Sequence, residues 1–238
     1  MEFGSVNRWG IYKRLMDYLT PGCCLLCDAL VSEGSQLCPG CAVDGPAPHS
    51  VCQHCGGLLR ARGTICSCVG KPRTLDRILA VRAYHYPVNS LVQEMKYHGQ
   101  LGLCREFGFS IAGLAHSTCS TLPDCLIPVP MHRSRLRERG YNQALEIAHA
   151  VSARLDLLLE TNLLSRVRST VPQIDLDPES RARNVRGAFV LHNAGTYEHV
   201  AIVDDVFTTG ATAFELAKLL KSSGIRKVEL WSYAIALK

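Results

Sequence analysis

Apolar runs and amphipathic stretches alternate along the last two-thirds of the chain. Residues 75–86 have the apolar density of one or two strands. Residues 88–98 and 101–116 read as helices, and Cys125–Val129 reads as a short buried strand closing on prolines. Asn142–Leu155 places Ala144, Ile147, Ala148 and Val151 on one helical face. His199–Val203 reads as a buried strand with four apolar residues, Ala211–Ser222 as a helix with Gly224 just past its end, and Val228–Leu237 as a last strand. Strands alternating with helices predict an α/β fold, a mostly parallel sheet covered on both faces, with ligands at the carboxyl ends of its strands.

The first 74 residues lack this rhythm. Residues 7–19 carry Trp9, Tyr12, Leu15, Met16 and Leu19 at helical spacing, and Pro21-Gly22 ends the pattern. The expected segments are therefore an amphipathic helix in residues 1–22, a cysteine-rich module in residues 23–74 and the α/β domain in residues 75–238. The module has too little apolar sequence to fold without a staple.

Cysteine supplies one. Of 12 cysteines, eight lie from Cys24 to Cys68, so their use is concentrated where the core is thinnest. Cys24-x-x-Cys27 with Cys38-x-x-Cys41 makes two knuckles for one tetrahedral four-sulfur site, the chemistry of structural Zn2+. Cys23 beside Cys24 leaves the register open. Cys52-x-x-Cys55 with Cys66-x-Cys68 forms a second, tighter set, so one or two zinc ions are expected. No apolar run is long enough to span a bilayer, and no secretory signal pattern opens the chain. The expected compartment is cytoplasmic, where thiols bind metal rather than pair as disulfides.

The net charge is +5, and its distribution says more than its size. Arg133, Arg135, Arg137 and Arg139 fall in one segment, and Arg166, Arg168, Arg181, Arg183 and Arg186 in another. Clusters of this kind suit either a solvated face or phosphate partners.

The segment Val200–Thr212 carries the most chemistry. After its apolar strand come Asp204 and Asp205, then Val206, Phe207, Thr208, Thr209, Gly210, Ala211 and Thr212 leading into a helix. Backbone N–H groups at that helix start form an anion cradle, the threonine hydroxyls add donors, and Gly210 permits close approach. The two carboxylates can accept from adjacent ribose hydroxyls, hold a cationic transition state or face Mg2+.

This segment resembles the phosphoribosyl-diphosphate (PRPP) motif of type I phosphoribosyltransferases. Ile127-Pro128-Val129-Pro130 leading to Arg137-Glu138-Arg139-Gly140-Tyr141-Asn142-Gln143 narrows the likeness, as do Arg168, Thr170, Gln173, Arg181, Asn184 and Gly187-Ala188-Phe189. With the cysteine pairs, the whole resembles the ComF/GntX family of competence-associated proteins. The resemblance implies a phosphoribosyltransferase-like domain behind a zinc-ribbon module, acting in natural transformation, where incoming single-stranded DNA is handled in the cytoplasm beside a helicase-like competence ATPase. By position, it implies catalytic Asp204 and Asp205 and a PRPP site of residues 204–212 with Arg137, Arg139 and Lys96. Arg133, Arg135, Arg168, Arg181, Arg183 and Tyr141 are left to nucleic acid, and residues 168–183 to a closing loop. Residues 75–100 and the cysteine module are the segments available to roof the site. Active transfer of phosphoribose to an acceptor is the alternative.

Overall fold

In the computed structural model the described residues are 22–32, 34–44, 47–48, 51–59, 66, 68–70, 73–169, 185–192 and 196–237. The predicted helix at 7–19 and most of the predicted closing loop, with Arg181 and Arg183, lie outside them. The chain forms two compact units, residues 1–45 and 46–238. The second cysteine group thus belongs to the same unit as the α/β sheet.

In the first unit, Cys23 bridges Leu30 across a tight turn. A short helix, α1 (Pro39–Val43), comes next, with the Cys38 sulfur accepting the Cys41 N–H at its start.

In the second unit the elements run β1 (Arg77–Ala83), α2 (Val88–Tyr97), α3 (Leu101–Thr118), β2 (Cys125–Pro128), α4 (Arg133–Arg139), α5 (Gln143–Leu155), β3 (Leu158–Leu159), β4 (Leu164–Arg166), β5 (Phe189–Leu191), β6 (His199–Phe207), α6 (Ala211–Ser222) and β7 (Lys227–Ile235). Five strands make one sheet in the order β1-β7-β6-β2-β3, and every pairing is parallel. β4 and β5 form a separate antiparallel ribbon. The expected α/β fold is the one formed.

The central strands β6 and β7 are buried on both faces, which is why they read as continuous apolar runs. On one face Val200, Ile202, Val228 and Leu230 pack with Leu216, Ala217 and Leu220 of α6. On the other, Phe107 of α3 stacks on Tyr233 of β7, ring centroids 3.7 Å apart. Each such fully buried side chain contributes roughly 1.5–3 kcal/mol.

Several boundaries differ from the sequence expectation for identifiable reasons. β6 continues through Asp204, Asp205, Val206 and Phe207, because Ser232, Ala234 and Ile235 of β7 remain in register beside it. The carboxylates are therefore in the strand rather than after it. α4 has no counterpart in the sequence expectation: it has four arginines in seven residues and no apolar stripe. The two- and three-residue strands β3, β4 and β5 are too short to show a period.

Candidate anion site at the carboxyl edge of the sheet

Parallel pairing brings the carboxyl ends of β1, β2 and β6 to one edge. The site is assembled from the segments just beyond those strand ends. At the end of β6, Asp205 is 4% exposed. Its Oδ2 lies 2.5 Å from Nζ of Lys96, in the last turn of α2. Asp204 is half-buried, and its Oδ1 accepts the Asp205 N–H at 2.9 Å.

The two carboxyls share one electrostatic problem. Burial, and then the charge of Asp205, push the Asp204 carboxyl well above the usual carboxylate range. Burial pushes Asp205 the same way, but the Lys96 ammonium outweighs it and holds Asp205 low. For Lys96, the Asp205 charge likewise overcomes the downward pull of burial. The pair titrates as a unit in which Asp205 carries the charge and Asp204 retains the proton longer.

The loop beyond β6 is built to leave donors unspent. Gly210 takes φ +77° as the N-cap of α6, a conformation that costs glycine little, and no side chain caps the helix through it. A Cβ there would also overlap the Phe214 and Phe207 rings. The Ala211 N–H has only a 3.4 Å contact from Thr209 Oγ1. First-turn N–H groups of a helix have no partner within it. Thr208, Thr209, Ala211 and Thr212 are half-buried around this mouth, whereas Val206 and Phe207 are buried support.

The arginine segment proves to be a helix, and helix geometry regroups it. Arg133 and Arg137, four apart, are both exposed, while Arg135 and Arg139 are both half-buried. The sequence grouping sets Arg137 with Arg139 and Arg133 with Arg135; the helical pitch separates those partners. Arg139 donates to Gln143 Oε1 at 2.7 Å and lies 5.7 Å from the Tyr97 ring centre. Tyr141 donates its hydroxyl to the carbonyl of Met95, the residue before Lys96. Asn142 accepts the Ala144 N–H at 3.1 Å and donates to the Val129 carbonyl at 3.1 Å, so it caps α5 and holds the loop after β2. The Arg-Gly-Tyr-Asn-Gln run thus ties α4 and α5 to α2 and to β2.

In the sequence, Arg166 is no more than one member of a charge cluster. In the fold it ends β4 with its guanidinium 5.4 Å from the Phe189 ring centre. Burial and then the charge of Arg135 pull its pKa down, and Asp204 opposes them, which places all three within electrostatic reach of one another. Antiparallel pairing with β5 positions it, and nothing local in the sequence signals that. Arg168 donates to the Arg186 carbonyl at 2.8 Å.

Both cysteine groups have the geometry of a four-sulfur metal site. In each, all four Sγ atoms lie within 4.8 Å of one another. The Sγ–Sγ separations include 3.7 Å for Cys27–Cys38, 3.5 Å for Cys52–Cys68 and 3.4 Å for Cys55–Cys66. Zn–S bonds of about 2.3 Å arranged tetrahedrally give edges of roughly 3.8 Å, so the sulfurs fit zinc and stand too far apart for disulfides. Burial works against ionising Cys24, yet the N–H groups of Cys38, Leu26 and Cys27 hold it down to about 6. Cys23 is exposed and is not among the four sulfurs gathered in the first group, Cys24, Cys27, Cys38 and Cys41.

No family model matches the chain. It is 32% identical to competence protein F of Haemophilus influenzae over 208 residues, 84% of this chain and 90% of that one. It is 31% identical to DNA utilization protein YhgH of Shigella flexneri over 214 residues, 88% of each chain. Competence protein ComFC of Bacillus subtilis is 24% identical over 231 residues, 84% of this chain and 89% of that one. Among solved structures, UMP synthase of Leishmania donovani covers 61% of this chain and 24% of its own at 19% identity and TM-score 0.33. A purine phosphoribosyltransferase from Pyrococcus horikoshii covers 64% of this chain and 74% of its own at 16% identity and TM-score 0.31. Among the described residues, no helix is long and apolar enough to cross a membrane.

Proposed function

Since this chain belongs to the ComF family of competence-associated proteins, we propose that it serves natural transformation, handling incoming single-stranded DNA in the cytoplasm with a site that takes PRPP. The observation that carries the ligand reading is the loop at Gly210: an uncapped helix start with two threonine hydroxyls beside it, one turn of chain from a carboxyl pair. The 5′-phosphate sits on the N–H groups of residues 208–212 and the ribose hydroxyls on Asp204 and Asp205. The diphosphate faces Arg139, Arg135 and Arg166, whose planar donor forks suit phosphate oxygens. Arg133 and Arg137, exposed on the far side of α4, and exposed Arg168, which also donates to the Arg186 carbonyl, then take strand phosphates.

Lys96 already pairs with Asp205, and Asp204 is pushed toward its neutral form. Mg2+ would then be brought by the ligand's phosphates, since Asp205 is already paired. Zn2+ fills both cysteine groups as closed structural sites with no open coordination position. A helicase-like competence ATPase is the expected protein partner.

The test is calorimetric titration of the zinc-loaded protein with PRPP, with and without Mg2+, beside Asp204→Asn/Asp205→Asn. Binding that the double variant loses supports the reading; equal binding by both proteins sinks it. Single-stranded DNA affinity should fall steeply with salt, and Arg133→Ala/Arg137→Ala should flatten that slope by about 1.4. The basic surround of Asp204 also favours a second reading, active transfer. There the bond from ribose C1 to diphosphate breaks as an acceptor attacks C1, the acceptor's proton leaves, and diphosphate departs toward the arginines. Diphosphate release that depends on a defined acceptor distinguishes this from binding alone.

A further inference from the structure

The two cysteine groups open on the same turn. The residue after each Cys-x-x-Cys has positive φ, 57° at Asp28 and 71° at Gly56. The hydrogen bonds also correspond. Asp28 N donates to Cys24 O at 2.9 Å and Cys24 N to Ala29 O at 2.8 Å; Gly56 N donates to Cys52 O at 2.8 Å and Cys52 N to Gly57 O at 2.8 Å. Asp28 is exposed and demonstrates that this turn accepts an L side chain, since Asp visits the left-handed region. The dihedral alone therefore does not require glycine at position 56.

A neighbour does. A Cβ on Gly56 would run into the Phe207 ring. That ring, at the end of β6, is the same one that lies 2.7 Å from a Cβ built on Gly210. Phe214 of α6 meets it edge-on, centroids 6.0 Å apart at 85°. Phe207 is thus gripped between the turn of the second cysteine group and the loop that starts α6. The turn is itself pinned to the sheet, because the Gln53 carbonyl accepts the Ile78 N–H of β1 at 2.5 Å, and Val51 packs on the same core as Phe207.

We propose that the metal of the second cysteine group, acting through Gly56 and Phe207, positions the anion loop of the sheet. This rests on the reading of that loop as an anion site. Metal binding fixes the backbone of this turn through Cys52 and Cys55, beyond its ties to the sheet. With the turn held, the Phe207 ring is backed on one side and fixes the Gly210 turn on the other. With the metal gone, the backing loosens and the loop N–H groups no longer converge. Gly56 and Phe207 are positioning residues, and the cysteines touch no ligand.

Hydrogen-exchange mass spectrometry of the full zinc-loaded chain, with zinc counted by elemental analysis, tests this. Cys55→Ser/Cys68→Ser should lose one zinc, and peptides spanning residues 203–216 should exchange about ten-fold faster. Cys27→Ser/Cys41→Ser, in the other compact unit, should also lose one zinc and leave those peptides unchanged. Gly56→Ala should keep both zincs and speed exchange of the same peptides, which separates positioning from general unfolding. Inorganic phosphate, titrated by calorimetry, should bind about ten-fold more weakly in the first and third variants, roughly 1.4 kcal/mol. Unchanged protection of residues 203–216 after loss of the second zinc overturns the proposal, as does an equal change after loss of the first, or wild-type exchange in Gly56→Ala. A wild-type protein that binds no phosphate removes the anion-site reading, while the exchange contrast still decides the positioning.

Discussion

The central strands carry a buried carboxylate near each end, and the two are treated differently. At the amino end, Glu229 is 1% exposed and receives His199 Nε2 at 3.1 Å, Lys227 Nζ at 2.8 Å and Trp231 Nε1 at 2.9 Å. Nearby, Asp124 accepts the N–H groups of Glu198 and His199, both at 2.9 Å. At the carboxyl end, Asp205 has the ion pair with Lys96 but no well-aligned hydrogen bond to the same oxygen. Asp204 is pushed toward its neutral form, and the adjoining helix start is uncapped. One end uses its polar groups on the fold; the other keeps them in reserve. Buried groups that the fold leaves incompletely matched mark where a ligand can complete them.

The contrast can be broken most sharply at Lys96. Lys96→Met strands the Asp205 charge and should cost about 3–5 kcal/mol in urea unfolding. Adding Asp205→Asn should recover most of that loss, because the penalty belongs to the unpaired charge. If the double variant is no more stable than the single, Asp205 is matched by something other than Lys96.

Glu229 sets the scale for a carboxylate that serves only the fold. Burial raises its pKa, but His199, Lys227 and Trp231 prevail and lower it from 4.5 to about 2. The folded value lies below the ordinary one. Its stabilisation is therefore full above about pH 4.5 and is lost as pH falls toward 2, roughly 3 kcal/mol in all. Glu229→Gln should remove that acid dependence and a comparable stability at pH 7, while leaving PRPP binding unchanged. A Glu229→Gln protein with weakened PRPP binding would show that the two ends are not independent.

Asp204 should behave with the opposite sign. Its folded pKa is raised, so its contribution is full at low pH and is lost as pH rises through that value. Asp204→Asn should therefore stabilise the protein at pH 7 by roughly 0.5–2 kcal/mol while weakening ligand binding, the usual exchange at a functional site. Thermal melts at pH 7 with and without PRPP read both effects. Destabilisation by Asp204→Asn would place that carboxyl among the groups that serve the fold.

The smallest effect separates the two cysteine turns. Asp28→Gly should change stability by no more than about 0.5 kcal/mol, because Asp28 is exposed and glycine accepts its φ. Gly56→Ala should cost more, because alanine is strained at φ 71° and its Cβ meets the Phe207 ring. Equal melting shifts for the two would mean that neither the backbone strain nor the Phe207 ring is felt at Gly56.

Local pattern determined a good deal of this protein. Both four-sulfur sets were legible because knuckle chemistry pairs ligands two or three apart, and α5 and α6 because burying one face demands a 3.6-residue period. The apolar core of β6 and the Thr/Gly loop after it announced a parallel strand feeding a helix that starts at Gly210. Other features depend on partners far away in sequence, and only the tertiary structure decided them. The end of β6 was set by its register with β7, so Asp204 and Asp205 became strand residues. The pairing of Lys96 with Asp205 joins residues far apart in the chain and leaves no periodic trace. Arg166 came to Asp204 through a ribbon too short to read, and the arginine segment was split by a helix that has no apolar face to reveal it. Gly56 shows the limit most plainly. Its place after Cys55 looks like turn chemistry alone, and the ring that excludes a side chain there belongs to Phe207, brought to it by the packing of the whole unit.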